Sequence, residues 1–398
     1  MARRAVPIPA GATPRSAGEP APAPAPTPPR GRRQRRAQHP QTPRSRERER
    51  PDASANHLFP RTRYQGSKRK LAGAIVRQVS DLDFTTVLDA FGGTGAVAYE
   101  FKRTGKSVTY NDVLAFNHQI GLALIENDTV TLTPAEMKAI GRRYPGVDYP
   151  DFIERTFDGI YFTTEENRWL DTAVTNIWRI ECPFKRALAW FALFQSAMVK
   201  RPYNLFHRRN LYMRAADVPR SFGNKASWDR DFDYHFTAFA RQGNAAVLDT
   251  GGRCRASCRD ALTIEPAHDL VYIDTPYINR SGVGVNYRQF YHFLEGVLRY
   301  DDWGAMIDYK SNHRRLLPEE DPWSSPRTSR EMFMRLFQRF RSSILVVSYR
   351  SEGIPTIDEL ADMLRSVKRH VRVITGTPHQ YALSTNRDTR EVLLIATD

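Results

Sequence analysis

The sequence predicts an α/β protein built on a doubly wound sheet, with a helical insertion and a disordered amino-terminal tail. Three observations carry this expectation. Strand-like and helix-like segments alternate from residue 86, a glycine-rich turn joins the first strand to the next helix, and a long aromatic-rich stretch without strand signals interrupts the alternation. Of 398 residues 41% are hydrophobic, enough for a sizeable core, yet no run reaches the ~18 apolar residues of a membrane span. Three cysteines cannot frame a disulfide scaffold, which suits a reducing compartment, the cytoplasm by default.

The elements follow in order. Residues 1–55 hold 12 of the 26 prolines, 12 arginines against four acidic residues, and no aromatic residue. Such a segment cannot bury enough apolar area to offset its ordering entropy, and it lacks the apolar run of a signal peptide. Its +8 is part of a total of +15, so the remainder is also basic and suits a polyanionic partner. Leu71, Ile75 and Val79 recur at helical spacing. Residues 86–91 read as a strand, 95–103 as a helix, 107–110 as a second strand and 113–125 as a second helix. Residues 132–245 read as an inserted helical module between the two parts, 56–131 and 246–398, of one catalytic domain. In the insert, Thr133-Pro134-Ala135-Glu136 has capping-box spacing and 184–200 carries a broad apolar face. Strands return at 253–258, 270–274, 344–349, 371–375 and 391–396, with helices at 287–298, 329–339 and 356–368. The last helix opens on Thr356 and Glu359, again a capping box.

Two turns carry chemistry. In Asp89-Ala90-Phe91-Gly92-Gly93-Thr94-Gly95 the glycines allow close backbone approach, and the helix that follows offers free N–H groups. Asp112, closing the second strand, is placed to accept from a ribose diol. The pair fits a nicotinamide dinucleotide or S-adenosylmethionine. Asp89 tips the choice, because a carboxylate there repels a pyrophosphate but pairs with the ammonium of a methionine moiety. The second turn, Asp274-Thr275-Pro276-Tyr277, follows the apolar strand Leu270-Val271-Tyr272-Ile273. Pro276 stiffens it and biases Thr275 towards extended geometry. A carboxylate, a carbonyl and a flat ring then suit the exocyclic amine of a nucleobase.

Together with Tyr64-Gln65-Gly66-Ser67-Lys68, these motifs resemble the Dam-type, alpha-class S-adenosylmethionine-dependent DNA adenine methyltransferases. The resemblance spans about 58–398 and implies a mostly parallel, seven-stranded sheet with a target-recognition domain inserted before the Asp-Thr-Pro-Tyr strand. It implies that Tyr64 and Lys68 hold the methionine end of the cofactor, Lys68 through the carboxylate. Asp89, Phe91, Gly93 and Gly95 line the same end, Asp112 meets the ribose and Asp260 lies near the cofactor adenine. Asp274, Thr275, Pro276 and Tyr277 hold the flipped target adenine. Thr275 stands where the family most often has proline, and a carbonyl survives the change. Ser348-Tyr349 matches a later Ser-Tyr of the family.

DNA contacts are expected from a basic, amide-rich stretch: Lys200, Arg201, Asn204, Arg208, Arg209 and Asn210, then Arg214, Arg220 and Lys225, with Ser221–Asn224 between the last two. The expected partners of this cytoplasmic monomer are duplex DNA and, in a restriction system, a cognate endonuclease; no membrane and no metal are called for. A DNA-binding homologue without turnover, and methylation of RNA adenine or of the cytosine exocyclic amine, stand as alternatives.

Overall fold

The computed structural model describes residues 59–216, 225–378 and 389–398. The tail at 1–55, Arg220 and Ser221–Asn224 lie outside the described residues.

Seven strands form one mixed sheet: β1 Thr86–Asp89, β2 Ser107–Asn111, β3 Arg255–Ser257, β4 Leu270–Ile273, β5 Ile344–Arg350, β6 His370–Pro378 and β7 Arg390–Thr397, in the order 3-2-1-4-5-7-6. Pairs β1–β2, β1–β4, β2–β3 and β4–β5 are parallel, whereas β7 runs antiparallel to both β5 and β6. The strand order therefore reverses between β1 and β4. In open α/β sheets such a switch leaves a crevice beyond the carboxyl ends of the strands.

The central strands β4 and β5 are buried nearly end to end because both faces are covered, whereas β3 and β6 at the two edges are partly exposed. Val87, Leu270 and Tyr272 enter one core, while Leu88, Val271 and Ile273 enter the other. The first core receives α1 Ala72–Arg77, α2 Ala96–Arg103 and α3 Ala115–Gly121. The segment predicted as helical insertion consists of α4 Pro134–Ala139, α5 Phe152–Thr156, α6 Thr164–Trp178, α7 Pro183–Val199, α8 Leu211–Ala215, α9 Lys225–Asp229 and α10 Phe232–Ala246. Its central helix, α7, buries every residue from Ala187 to Val199. Those side chains join the first core, so one apolar interior runs from the sheet into the helices. After β4 come α11 Tyr287–Phe290, α12 His292–Val297, α13 Trp303–Met306 and α14 Ser329–Arg339. Between β5 and β6 lies α15 Ile357–Arg365, and α14 and α15 cover the second core.

Both predicted capping boxes form, at Thr133–Glu136 and at Thr356–Glu359. Two predicted helices are broken. The 113–125 helix gives way after Gly121 to a π-helical turn, Leu122–Glu126, and the 287–298 helix breaks at Tyr291. No helix among the described residues is long and apolar enough to cross a membrane.

Candidate active site

The glycine turn is built by its neighbours. Gly93 and Gly95 adopt φ of 52° and 75°, the left-handed region that glycine enters without strain. A Cβ on Gly92 would lie 2.1 Å from the Tyr110 ring. That ring is pinned because its hydroxyl donates to Gly93 O at 2.7 Å. Asp112 accepts from the Gly93 N–H at 2.9 Å, the Leu114 N–H at 2.9 Å and Asn117 Nδ2 at 3.1 Å. Its carboxylate thus braces the turn as well as facing the cavity. The amino-terminal motif docks on the same turn: Ser67 Oγ lies 3.2 Å from Thr94 Oγ1, and Tyr64 stacks against both Tyr287 and Tyr291.

A cavity of about 490 Å³ opens at the strand ends, between the glycine turn and the Asp274 corner. Tyr64, Lys68, Asp89, Phe91, Gly93, Asp112 and Asp260 line it, as do Asp274, Pro276 and Tyr277. The two turns therefore face one crevice, at the point where the strand order reverses. Thr275 is not among the lining residues and is 3% exposed, so the expected second acceptor beside Asp274 is set back in the wall. Gly95 does not line the cavity either; it is the N-cap of α2, packed against Ile125.

Lys68 departs from its expected role. Its ammonium lies 2.8 and 2.7 Å from the two oxygens of Asp274, 2.7 Å from the Tyr277 hydroxyl and 3.4 Å from Glu391. An ammonium has three protons, and these partners take them. Burial alone would lower the lysine pKa, but the Asp274 and Glu391 charges outweigh it and hold Lys68 protonated. Asp274 is raised by burial, helped by the Glu391 charge and opposed by Lys68. Its side chain remains 17% exposed to the cavity. Its Oδ1 meets Lys68 and Tyr277, whereas Oδ2 meets only Lys68, which leaves an acceptor position on Oδ2.

The sequence reading missed Glu391. Because β7 is antiparallel to β5, its first residues arrive at the edge where the parallel strands end. Glu391 Oε1 there accepts from Ser348 Oγ at 2.6 Å and lies 2.7 Å from the Tyr277 hydroxyl, whose single proton serves either Glu391 or Asp274. Trp323 was also missed; its ring meets the edge of Phe91 at 4.9 Å, and both line the cavity. Neither position has a spacing signal, since strand direction and long-range loop packing bring them in.

Asp89 is 2% exposed, and its Oδ1 has no hydrogen-bond partner. Burial, then the Asp274 and Asp112 charges, push its pKa up to about 8. A buried carboxylate with an unserved oxygen, beside glycines that leave the backbone bare, fits a ligand that brings a cation.

The basic stretch divides in two. Lys200 and Arg214 are buried and share Glu166 at 2.7 and 2.6 Å. Arg201, 1% exposed, donates to Tyr161 O at 3.0 Å and Arg208 O at 3.1 Å and stacks on the Tyr161 ring. Asn210 is also buried. These four were expected on DNA; the three cations instead tie the helical segment together, and Asn210 is turned inward with no partner on its Oδ1 among the described residues. Arg208, Arg209 and Lys225 are exposed and Asn204 half-exposed.

A model of the D12 class N6 adenine-specific DNA methyltransferases matches residues 64–312, more than half of the chain. Fold, crevice and match agree, and the chain belongs to that family of adenine-specific DNA methyltransferases. Type II methyltransferase M2.HphI of Haemophilus parahaemolyticus is 29% identical over 338 residues, which cover 83% of the chain and 94% of that protein. Modification methylase LlaI of Lactococcus lactis subsp. lactis is 25% identical over 342 residues, 80% of the chain and 51% of its own length. Type II methyltransferase M.FokI of Planomicrobium okeanokoites is 22% identical over 340 residues, and the chain spans about half of it, as it does of LlaI.

Proposed function

We propose that the crevice takes S-adenosylmethionine against the glycine turn and a flipped adenine of duplex DNA against the Asp274 corner. The observation that carries this reading is the single cavity lined by both turns. S-adenosylmethionine supplies an electrophilic methyl group. Asp89 meets the ammonium of its methionine moiety, the partner that its unserved oxygen lacks. Asp112 and Asp260 serve the ribose and adenine ends.

The open position on Asp274 Oδ2 accepts an N–H of the target amine and aims the nitrogen lone pair away from the carboxylate. As the nitrogen gains the methyl group, the sulfonium S–CH3 bond would break and a neutral thioether would leave; the nitrogen becomes cationic, and Asp274 stabilises that charge and takes the surplus proton. Lys68 opposes the protonation of Asp274 and fixes its carboxylate. Glu391 holds Tyr277 and Lys68 in place from behind. Extruding the adenine costs a few kcal/mol, partly offset by contact with aromatic rings. Residues 132–245 act as the target-recognition part, with Asn204, Arg208, Arg209 and Lys225 towards DNA. The protein works in the cytoplasm as the modification partner of a restriction endonuclease.

The test is transfer of tritium from labelled S-adenosylmethionine to duplex DNA, with nucleoside analysis of the product. N6-methyladenine is expected; label in another nucleoside, or none, defeats the reading. Asp274→Ala should lower turnover by about a thousandfold while duplex binding persists.

A further inference from the structure

Among the described residues, three that are not glycine adopt left-handed φ: Tyr203 at 63°, Asn204 at 58° and Arg314 at 54°. Such geometry persists only where the surroundings impose it, and it gathers at functional surfaces. All three lie on two loops that touch. The Tyr161 hydroxyl is 2.6 Å from Phe206 O and 2.7 Å from His313 O, so one side chain ties the 201–210 loop to the 308–315 hairpin. The hairpin closes through the bridge Ile307–Leu316 and the 2.8 Å bond from Asp308 N to Arg315 O.

Both loops are rooted on α11. Phe206 N donates to Phe290 O at 2.9 Å, Gln289 Nε2 to Leu316 O at 3.3 Å and Arg288 to Leu317 O at 2.9 Å. Arg288 and Gln289 line the cavity, so both loops are anchored on an element of its wall. Their outer faces carry exposed rings and cations. Tyr203 is 46% and Tyr309 54% exposed, and Arg208, Arg209 and Lys310 are exposed. Arg314 lies over the Tyr309 ring at 5.3 Å and donates to Tyr309 O at 2.7 Å, which orients that ring. The hairpin's one acid, Asp308, is taken by Arg315 at 3.1 Å.

We propose that the 308–315 hairpin is a second DNA-contacting element, which grips the duplex beside the extruded base. Lys310 meets a phosphate, and the Tyr309 ring covers the base face left unstacked when its neighbour leaves. Cations with exposed rings favour a nucleic acid, since phosphates supply the charge and bases the flat faces. This inference rests on the DNA methyltransferase reading.

The full chain carries the test, with Tyr309→Ala, Lys310→Glu, and Arg365→Ala on α15 as an exposed control. Binding of a labelled random-sequence duplex is measured across salt concentrations, and tritiated methyl transfer on adenine-unmethylated genomic DNA gives kcat/KM. Lys310→Glu should weaken binding and lower the log–log salt slope by about one. Tyr309→Ala should lower kcat/KM by about tenfold. Unfolding temperature and S-adenosylmethionine affinity should match the parent in both. Parental salt slope and kcat/KM in the two variants overturn the hairpin's role while leaving the enzyme reading intact. A parent chain that transfers no methyl group to DNA overturns the enzyme reading, and this inference with it.

Discussion

Asp89, Asp112 and Asp274 line one cavity, Glu391 stands behind Asp274 beside Lys68, and burial raises the pKa of the three aspartates. Asp89 stays protonated in the folded chain up to about pH 8, against an ordinary value of 3.8. Between those values the unfolded chain releases a proton that the folded chain keeps. Stability is therefore lost as pH rises through that window. Asp89→Asn removes this loss, so the variant should gain several kcal/mol over the parent at pH 8 and little at pH 4. It should also fail to bind S-adenosylmethionine by calorimetry. Urea unfolding at the two pH values checks the first point, and an equal gain at both would refute the assignment. Glu391→Gln keeps an acceptor for Ser348 and Tyr277 but removes the charge beside Lys68. Turnover should fall about ten- to hundredfold with the cofactor KM unchanged, as befits a residue that acts through its neighbours. A rise in KM alone would place Glu391 in binding instead.

At the scale of elements, the glycine turn is held from outside by Tyr110, so its tolerance is set by packing rather than by φ alone. Gly92→Ala would drive a methyl group into that ring, at a cost of about 1–3 kcal/mol, measurable as a lower thermal midpoint and weaker cofactor binding. A fully stable variant would mean that the ring yields. Elements with local signals were legible in the sequence. The strand before Gly92, the helix after Gly95 and the capping boxes at Thr133 and Thr356 all depend on residues within a few positions of each other. The break at Tyr291 was hidden, because the residue leaves the helical path where its hydroxyl accepts from Gln65 N, 226 positions away. The basic stretch misled for a related reason. Composition marks Lys200, Arg201 and Arg214 as free cations, but their partners Glu166 and Tyr161 come from another helix and its approach.

Over the whole molecule, the insertion in the sequence is not a separation in the core. Leu170, Trp190 and Phe236 of the helical segment share one interior with Val87 and Tyr272 of the sheet. Four of the six tryptophans, Trp169, Trp178, Trp190 and Trp228, lie in that segment. Tryptophan fluorescence and far-UV dichroism should therefore melt together, and S-adenosylmethionine at about a hundred times Kd should add about 2.7 kcal/mol to both. Two separated transitions would make the helical segment an independent unit. The central strands could be read from their apolar runs, but the reversal of β7 could not, since direction leaves no mark in a buried strand. That reversal makes the centre a matter of register. Glu391 stands opposite Arg350 across the antiparallel ladder, and its carboxylate lies 3.4 Å from Lys68. A slip of that pairing by two residues would keep every side chain on its own face yet carry Glu391 about 7 Å along the strand and out of reach of the lysine.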